Sequence, residues 1–360
     1  MFLILVYRYS FLFIFIVYAQ SLLGQNNYEM MAAAKKNGKW GYLDSIGNEA
    51  IPFMYDQVRP FSEKLAAVRI GSYWAYITPE NKTLIRPLFI NAESFKENRA
   101  LFTIDDDSRI VKGFLNRSGR MVIVYEGLDE GLPFNEGLAI IYTTGLNRKS
   151  AVGFIDSNQI TVIPPNYDDA FSFAYGHSVV SVGGLWGIIN RYGIYSVTPR
   201  YTEAYSFSEK LAYTNSSGNV NFVDTNGIIK LSINKKIADK CGYFFNEGLC
   251  PVIKKGKVGF INTSGKLVIT YKYYAKDSVS MPRFNDGFAA VGALKDNKLQ
   301  FGYIDTKGKW IIKPEYDSAN DFNFNRAVVS KNGKYGVINS SGKLVIPMQY
   351  DTILDYSETY

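Results

Sequence analysis

The stretch Asn37-Gly38-Lys39-Trp40-Gly41-Tyr42-Leu43-Asp44-Ser45-Ile46-Gly47 decides how this chain is read. Anchored on its central glycine, it returns at Gly41, Ala75, Gly113, Gly153, Gly187, Asn221, Gly259, Gly302 and Gly336. The spacings are 34, 38, 40, 34, 34, 38, 43 and 34 residues, so a unit of 34 recurs nine times and accepts insertions. Self-similarity at this period marks a solenoid, propeller or array.

Each copy reads as strand, turn, strand. Two positions after the anchor the residue is always aliphatic, from Leu43 and Ile77 to Ile338, and one position after it is mostly aromatic, as in Tyr42, Phe154 and Tyr303. Successive side chains of a strand face opposite ways, so this strand is apolar on both faces and needs cover on both. A neighbouring repeat stacked sheet on sheet supplies it. The anchor glycine is expected to admit a neighbour's ring against the backbone. Three positions after the anchor, Asp or Asn stands in eight of nine copies, and Gly follows three later in seven. An Asx side chain closes a turn on its own backbone and Gly supplies the positive φ.

The next strand runs into proline (Ile51-Pro52, Ile163-Pro164, Ile346-Pro347), which cannot donate to a ladder. Tyr-Asp follows, at Tyr55-Asp56, Tyr167-Asp168, Tyr316-Asp317 and Tyr350-Asp351. A Phe-x-Glu-Gly/Lys-Leu-Ala segment such as Phe61-Ser62-Glu63-Lys64-Leu65-Ala66 then opens another strand. The expected fold is therefore all-β: nine antiparallel β-meanders in one array over residues 31–360, after a linker at 20–30. Nine units exceed the roughly four to eight blades of a usual closed propeller, which favours an open superhelical, solenoid-like array. The strand at 31–36 and the partial unit at 350–356 would then cap the array, or pair to close a ring.

The run Gly-Lys-Trp-Gly-Tyr-x-Asp-x-x-Gly, with Ile-Pro, Tyr-Asp and Phe-x-Glu-Gly-Leu-Ala, resembles the bacterial WG-repeat (KWG-repeat) family over about residues 31–355. Only Trp40-Gly41 and Trp186-Gly187 keep the literal pair; Trp74-Ala75, Phe301-Gly302 and Tyr335-Gly336 are variants. The resemblance implies a β-rich repeat array and carries over no catalytic residue.

Composition agrees with a folded β protein: 47% hydrophobic, 15% aromatic, with 27 Tyr, 24 Phe and 31 Gly. The net charge of +7 is spread over lysines beside turns, which suits a solvated rim rather than a nucleic-acid track. Residues 1–19 are almost wholly apolar, with one Arg8, and Val17-Tyr18-Ala19 precedes polar Gln20. That reads as a secretory signal peptide, with an uncleaved N-terminal membrane anchor as the alternative. The expected destination is export to a periplasmic, outer-surface or secreted location, with no membrane insertion after cleavage.

The copies differ in two kinds of place. Three units lengthen the hairpin before the anchor, placing Asp106 and Arg109, Asn147, Arg148 and Lys149, and Lys295, Asp296 and Lys298 on one rim. Insertions confined to one face often mark a binding face. The sixth unit departs most: Asn221 replaces Gly, Ile-Pro is missing, Lys235-Lys236 stand where Tyr is expected, and its insertion brings Cys241. Cys250 follows on the next strand, so a Cys241–Cys250 disulfide is one reading and two buried thiols the other.

Chemistry is sparse. The single His177 has no nucleophile signature near it, one His and two Cys make a poor zinc set, and Asp105-Asp106-Asp107 lacks the spacing of a calcium loop. The expectation is a non-enzymatic exported scaffold without cofactor, binding a protein or envelope glycan and not nucleic acid. The alternative is a carbohydrate- or cell-wall-binding, or wall-active, protein.

Overall fold

A computed structural model describes residues 30–106, 109–125, 130–144, 150–276 and 281–358. Its strands form nine antiparallel sheets, or blades, each running from a short strand a through strands b, c and d. In blade 2 these are Gln57–Val58, Ala66–Ile70, Tyr73–Ile77 and Thr83–Phe89. Up-and-down pairing places the a–b and c–d turns on one rim and the b–c turns on the other. Among the described residues no helix is long and apolar enough to cross a membrane.

In most blades the anchor residue faces a bulge. In blade 1 Trp40 pairs with Tyr55 but Tyr42 pairs with Ile51, so Pro52, Phe53 and Met54 bulge out opposite Gly41. A Cβ on Gly41 would lie 2.5 Å from the Ile51 carbonyl oxygen, and one on Gly113 would lie 2.0 Å from that of Ile123. The glycine thus makes room for strand d of its own blade, and not for a neighbour's ring as expected from the sequence. Proline fits the bulge because no ladder bond is needed there. The Asx turn forms as read: Asp44 Oδ1 accepts from the Ile46 and Asn48 amides at 3.0 and 2.8 Å.

Core lies between blades. The aromatic residue after the anchor meets the Phe of the next blade's Phe-x-Glu segment, as in Tyr42–Phe61, Phe154–Phe173 and Tyr303–Phe322, at centroid distances of 4.7 to 4.9 Å. Tilted and edge-on rings at this separation add to the area they bury.

The expected open array is wrong: the nine blades close into a ring, a nine-bladed β-propeller. Blade 1 takes strands b, c and d from Met30–Lys36, Lys39–Leu43 and Glu49–Tyr55, and its strand a from Thr352–Ile353. Ala34 pairs with Ile353, and Ser357–Glu358 adds a second pairing to the start of the same strand. Contacts made at internal junctions recur between blades 9 and 1. The Gly119 turn packs on Ile85 of the preceding blade, and Gly47 packs on Ile346 in the same way. Asp56 binds the Gly71 amide of its b–c turn, and Asp351 binds the turn at Asn37 and Gly38. Ala32, Ala34, Leu43, Val328, Val337 and Tyr356 share one core cluster across that junction. Blade number did not decide the form; the missing strand a of the first unit did.

Candidate functional site

At most junctions the Phe-x-Glu segment clasps the next blade. Its two-residue a–b turn has both residues at positive φ, such as Glu136 (51°) and Gly137 (78°). That geometry leaves the turn amides facing outward, and the preceding blade's carboxylate collects them. Glu63 accepts from the Asn98 amide, Glu97 from Gly137, Glu136 from Tyr175 and Gly176, Glu209 and Glu247 from Gly248 and Gly287, and Asp286 from Asn325. The residue before the carboxylate often adds a bond to the next blade's Phe carbonyl: Ser62 to Phe95 at 2.6 Å and Asn135 to Phe173 at 2.7 Å.

The clasp persists, through Glu209 and Gly248, between blade 6 (Glu203–Ser208, Leu211–Ser216, Asn219–Val223, Ile229–Ile233) and blade 7 (Lys240–Cys241, Leu249–Lys254, Lys257–Asn262, Leu267–Tyr273), but the segment that links these two blades departs from the common pattern. Asn221 pairs directly with Ser232 and the bulge is absent, so strand d ends early and a turn at 234–237 fills the gap. Lys235 and Lys236 lie in that turn rather than in the Tyr position. Asp239 still plays the junction role, accepting from the Lys255 amide at 2.7 Å. The residue before it is Ala238, where other junctions carry Tyr55, Phe89, Tyr167, Tyr201, Tyr273, Tyr316 or Tyr350.

An aromatic plug is therefore missing, and a second change widens the opening. Two residues, Tyr243 and Phe244, occupy the interval that Pro60 spans alone in blade 2, so the strand bulges and both rings turn outward. Tyr243 stacks on Tyr205 (3.8 Å, 24°) and meets Tyr213 edge-on (5.1 Å, 90°). Tyr243 and Phe244 remain 38% and 39% exposed. Burial raises the Tyr205 and Tyr213 phenols well above the ordinary tyrosine range, with Tyr243 and Glu203 respectively adding to it, so both stay protonated donors. The result is a cleft of about 1120 Å3 whose walls include Asn219, Asn234, Lys235, Lys240 and Arg283. Below it Cys241 and Cys250 are free thiols with sulfurs 3.8 Å apart, and burial pushes the Cys250 thiol up.

A model of the WG containing repeat matches residues 40–74, 153–186, 186–218, 259–298, 301–335 and 335–358, more than half of the chain. The chain belongs to the WG-repeat family. No curated protein matches this WG-repeat chain. Among solved structures, a crystal structure of the eukaryotic initiation factor is similar at TM-score 0.64 and 10% identity, covering 92% of this chain and 98% of that one. This likeness shows a shared fold alone. Dihydro-heme d1 dehydrogenase NirN in complex with DHE is similar at TM-score 0.45 and 12% identity, over 93% of this chain and 76% of that one, too distant to carry an argument.

The WG-repeat propeller separates the expected rim residues. Asp106 and Arg109 pair at the tip of blade 3, while Lys295 pairs with Lys298 around Asp296 in blade 8, across the ring. Lys298 is held by Asp317 at 2.7 Å. Asn147, Arg148 and Lys149 lie outside the described residues, as do Asp107 and the N-terminal segment 1–29. His177 Nδ1 sits 3.0 Å from the Tyr175 carbonyl and its ring lies beside Phe207. The sequence flagged the sixth unit as irregular but missed Tyr243, Phe244 and Asn246. The signal was the seven-residue interval from Ala238 to Phe245, against six from Tyr55 to Phe61.

Proposed function

We propose that this WG-repeat propeller is an exported, non-enzymatic interaction scaffold that holds a protein or envelope component at the blade 6–blade 7 cleft. One observation supports the reading above others: the aromatic plug carried by Tyr or Phe at seven other junctions is replaced there by Ala238, and exposed aromatic rings stand in the opening. A purely structural ring gains nothing from that exchange, whereas a concave site with a few convergent polar groups is the common form of a binding site. Export rests on the apolar segment at 1–19 and its polar flank. In an oxidising compartment Cys241 and Cys250 would join as a disulfide, each thiol giving up its proton and the electron pair passing to a disulfide-bearing oxidoreductase.

Affinity capture from envelope extracts, with wild type and the Lys235→Glu/Lys240→Glu variant side by side, tests the binding reading. The wild type is expected to retain a partner that the variant releases; equal capture by both removes the cleft from the argument. Intact mass of the exported protein should lack residues 1–19, and non-reducing peptide mapping should return residues 241 and 250 in one linked pair.

A further inference from the structure

We infer that the cleft between blades 6 and 7 binds a neutral oligosaccharide, a proposal that rests on the binding reading above and names its ligand class. A pyranose ring has one face rich in C–H groups and an edge of hydroxyls, so it calls for an aromatic platform flanked by groups that both donate and accept. The cleft supplies both. Tyr243 is pinned by Tyr205 and Tyr213, which fixes its plane before any ligand arrives, and Phe244 stands beside it, partly open to solvent. Such pre-set rings lose little rotamer freedom on binding.

The polar complement is carboxamide. Asn215, Asn219, Asn234 and Asn246 all line the cleft. Each carboxamide has two donors and two acceptor lone pairs, a match for hydroxyls that also do both. Asn234 spends its Oδ1 on the Lys236 and Ile237 amides, which leaves its NH2 group pointing free of the turn. Asn246 is the more telling residue. It holds the position from which Ser62, Asn135, Asn285 and Asn323 reach the next blade's carbonyl, yet among the described residues its side chain makes no such bond. A clasp residue has been released into the cleft.

Charge favours a neutral chain. Three cations and two anions line the walls, and Arg283 Nε is paired with Asp321 Oδ2 at 2.6 Å while Asp239 is bonded to the Lys255 amide. No row of unpaired cations is present among these residues to neutralise a phosphate backbone or a polyanion. The volume exceeds the few hundred to about 1000 Å3 of a usual small-molecule pocket, which suits several linked rings rather than one.

The test uses the full chain on an array of neutral hexose and N-acetylhexosamine oligosaccharides of three units and longer, followed by calorimetry on the best binder. The wild type is expected to bind at least one of them. Phe244→Ala and Asn246→Ala should each weaken it by about tenfold or more, while Tyr192→Ala, which removes an 81% exposed ring from another blade, should leave it unchanged. Circular dichroism on each variant confirms that the ring is intact. Absence of binding across the array overturns the proposal, as does Phe244→Ala binding like wild type. If random dodecapeptides bind in a Phe244-dependent way and sugars do not, the ligand class is wrong although the cleft remains a binding site.

Discussion

At Asp56, Asp317 and Asp351 one carboxylate joins separate pieces of chain: a lysine of the preceding blade (Lys39, Lys298, Lys334) and the b–c turn of the following one. The lysine bond holds each carboxyl below the ordinary aspartate range. With the folded value below the unfolded one, this stabilisation is present at neutral pH and lost as pH falls through the folded value. Asp355 runs the other way, because burial raises its carboxyl; its contribution is complete in acid and lost as pH rises. Asp351→Asn should therefore lower Tm at pH 7, and Asp355→Asn should raise it while keeping the acceptor for Asn320. Both differences should shrink below about pH 4, where wild-type carboxyls protonate. Thermal melts across that range decide, and offsets that persist unchanged into acid would show that charge is not the cause. At the anchor, Gly113→Ala pushes a methyl into the Ile123 carbonyl and should cost about 1–3 kcal/mol in denaturant unfolding. A variant as stable as wild type would mean that strand d shifts freely to admit the methyl.

The a–b turn shows what a repeated motif discloses and what it withholds. Phe-x-Glu was legible as the opening of a strand because phenylalanine, glutamate and the small residues after it recur. The glutamate's partner was not legible, because it is a main-chain amide some 35 to 40 residues onward and any residue type can provide one. Glu209→Ala should destabilise the protein by about 1 kcal/mol, a charge-assisted bond discounted for partial exposure. Glu209→Gln should recover part of that loss, since one oxygen remains to accept; urea midpoints that place Gln below Ala would contradict the clasp. The Asx turn was legible down to its atoms, since a side chain bonding its own backbone needs no distant partner. The cleft was half legible. Asn221 and the lost Ile-Pro announced an irregular unit, but its opening depends on Ala238 being small and on one extra residue before Phe245, and both are visible only in register with other blades.

At the scale of the molecule, open and closed forms share every local rule, so repeat count alone could not separate them. The halves of one blade stand at opposite ends of the array: strands b, c and d at Met30–Lys36, Lys39–Leu43 and Glu49–Tyr55, and strand a at Thr352–Ile353. Removing residues 351–360 should uncover the apolar face of Ala32, Ala34 and Leu43, and small-angle scattering should then report a larger, less uniform particle. A truncated chain with unchanged dimensions and melting would mean that the ring holds without its clasp. The same arrangement has a kinetic side. Ser357 reaches the Met31 carbonyl across 326 positions of sequence. During synthesis the earliest described strand, Met30–Lys36, keeps a bare edge until its partner emerges, while blades 2 to 9 can complete themselves in turn. Closure is a late, slow event that local contacts cannot hasten. Through that interval the growing chain carries an open β edge, and this is where a second nascent copy would trespass.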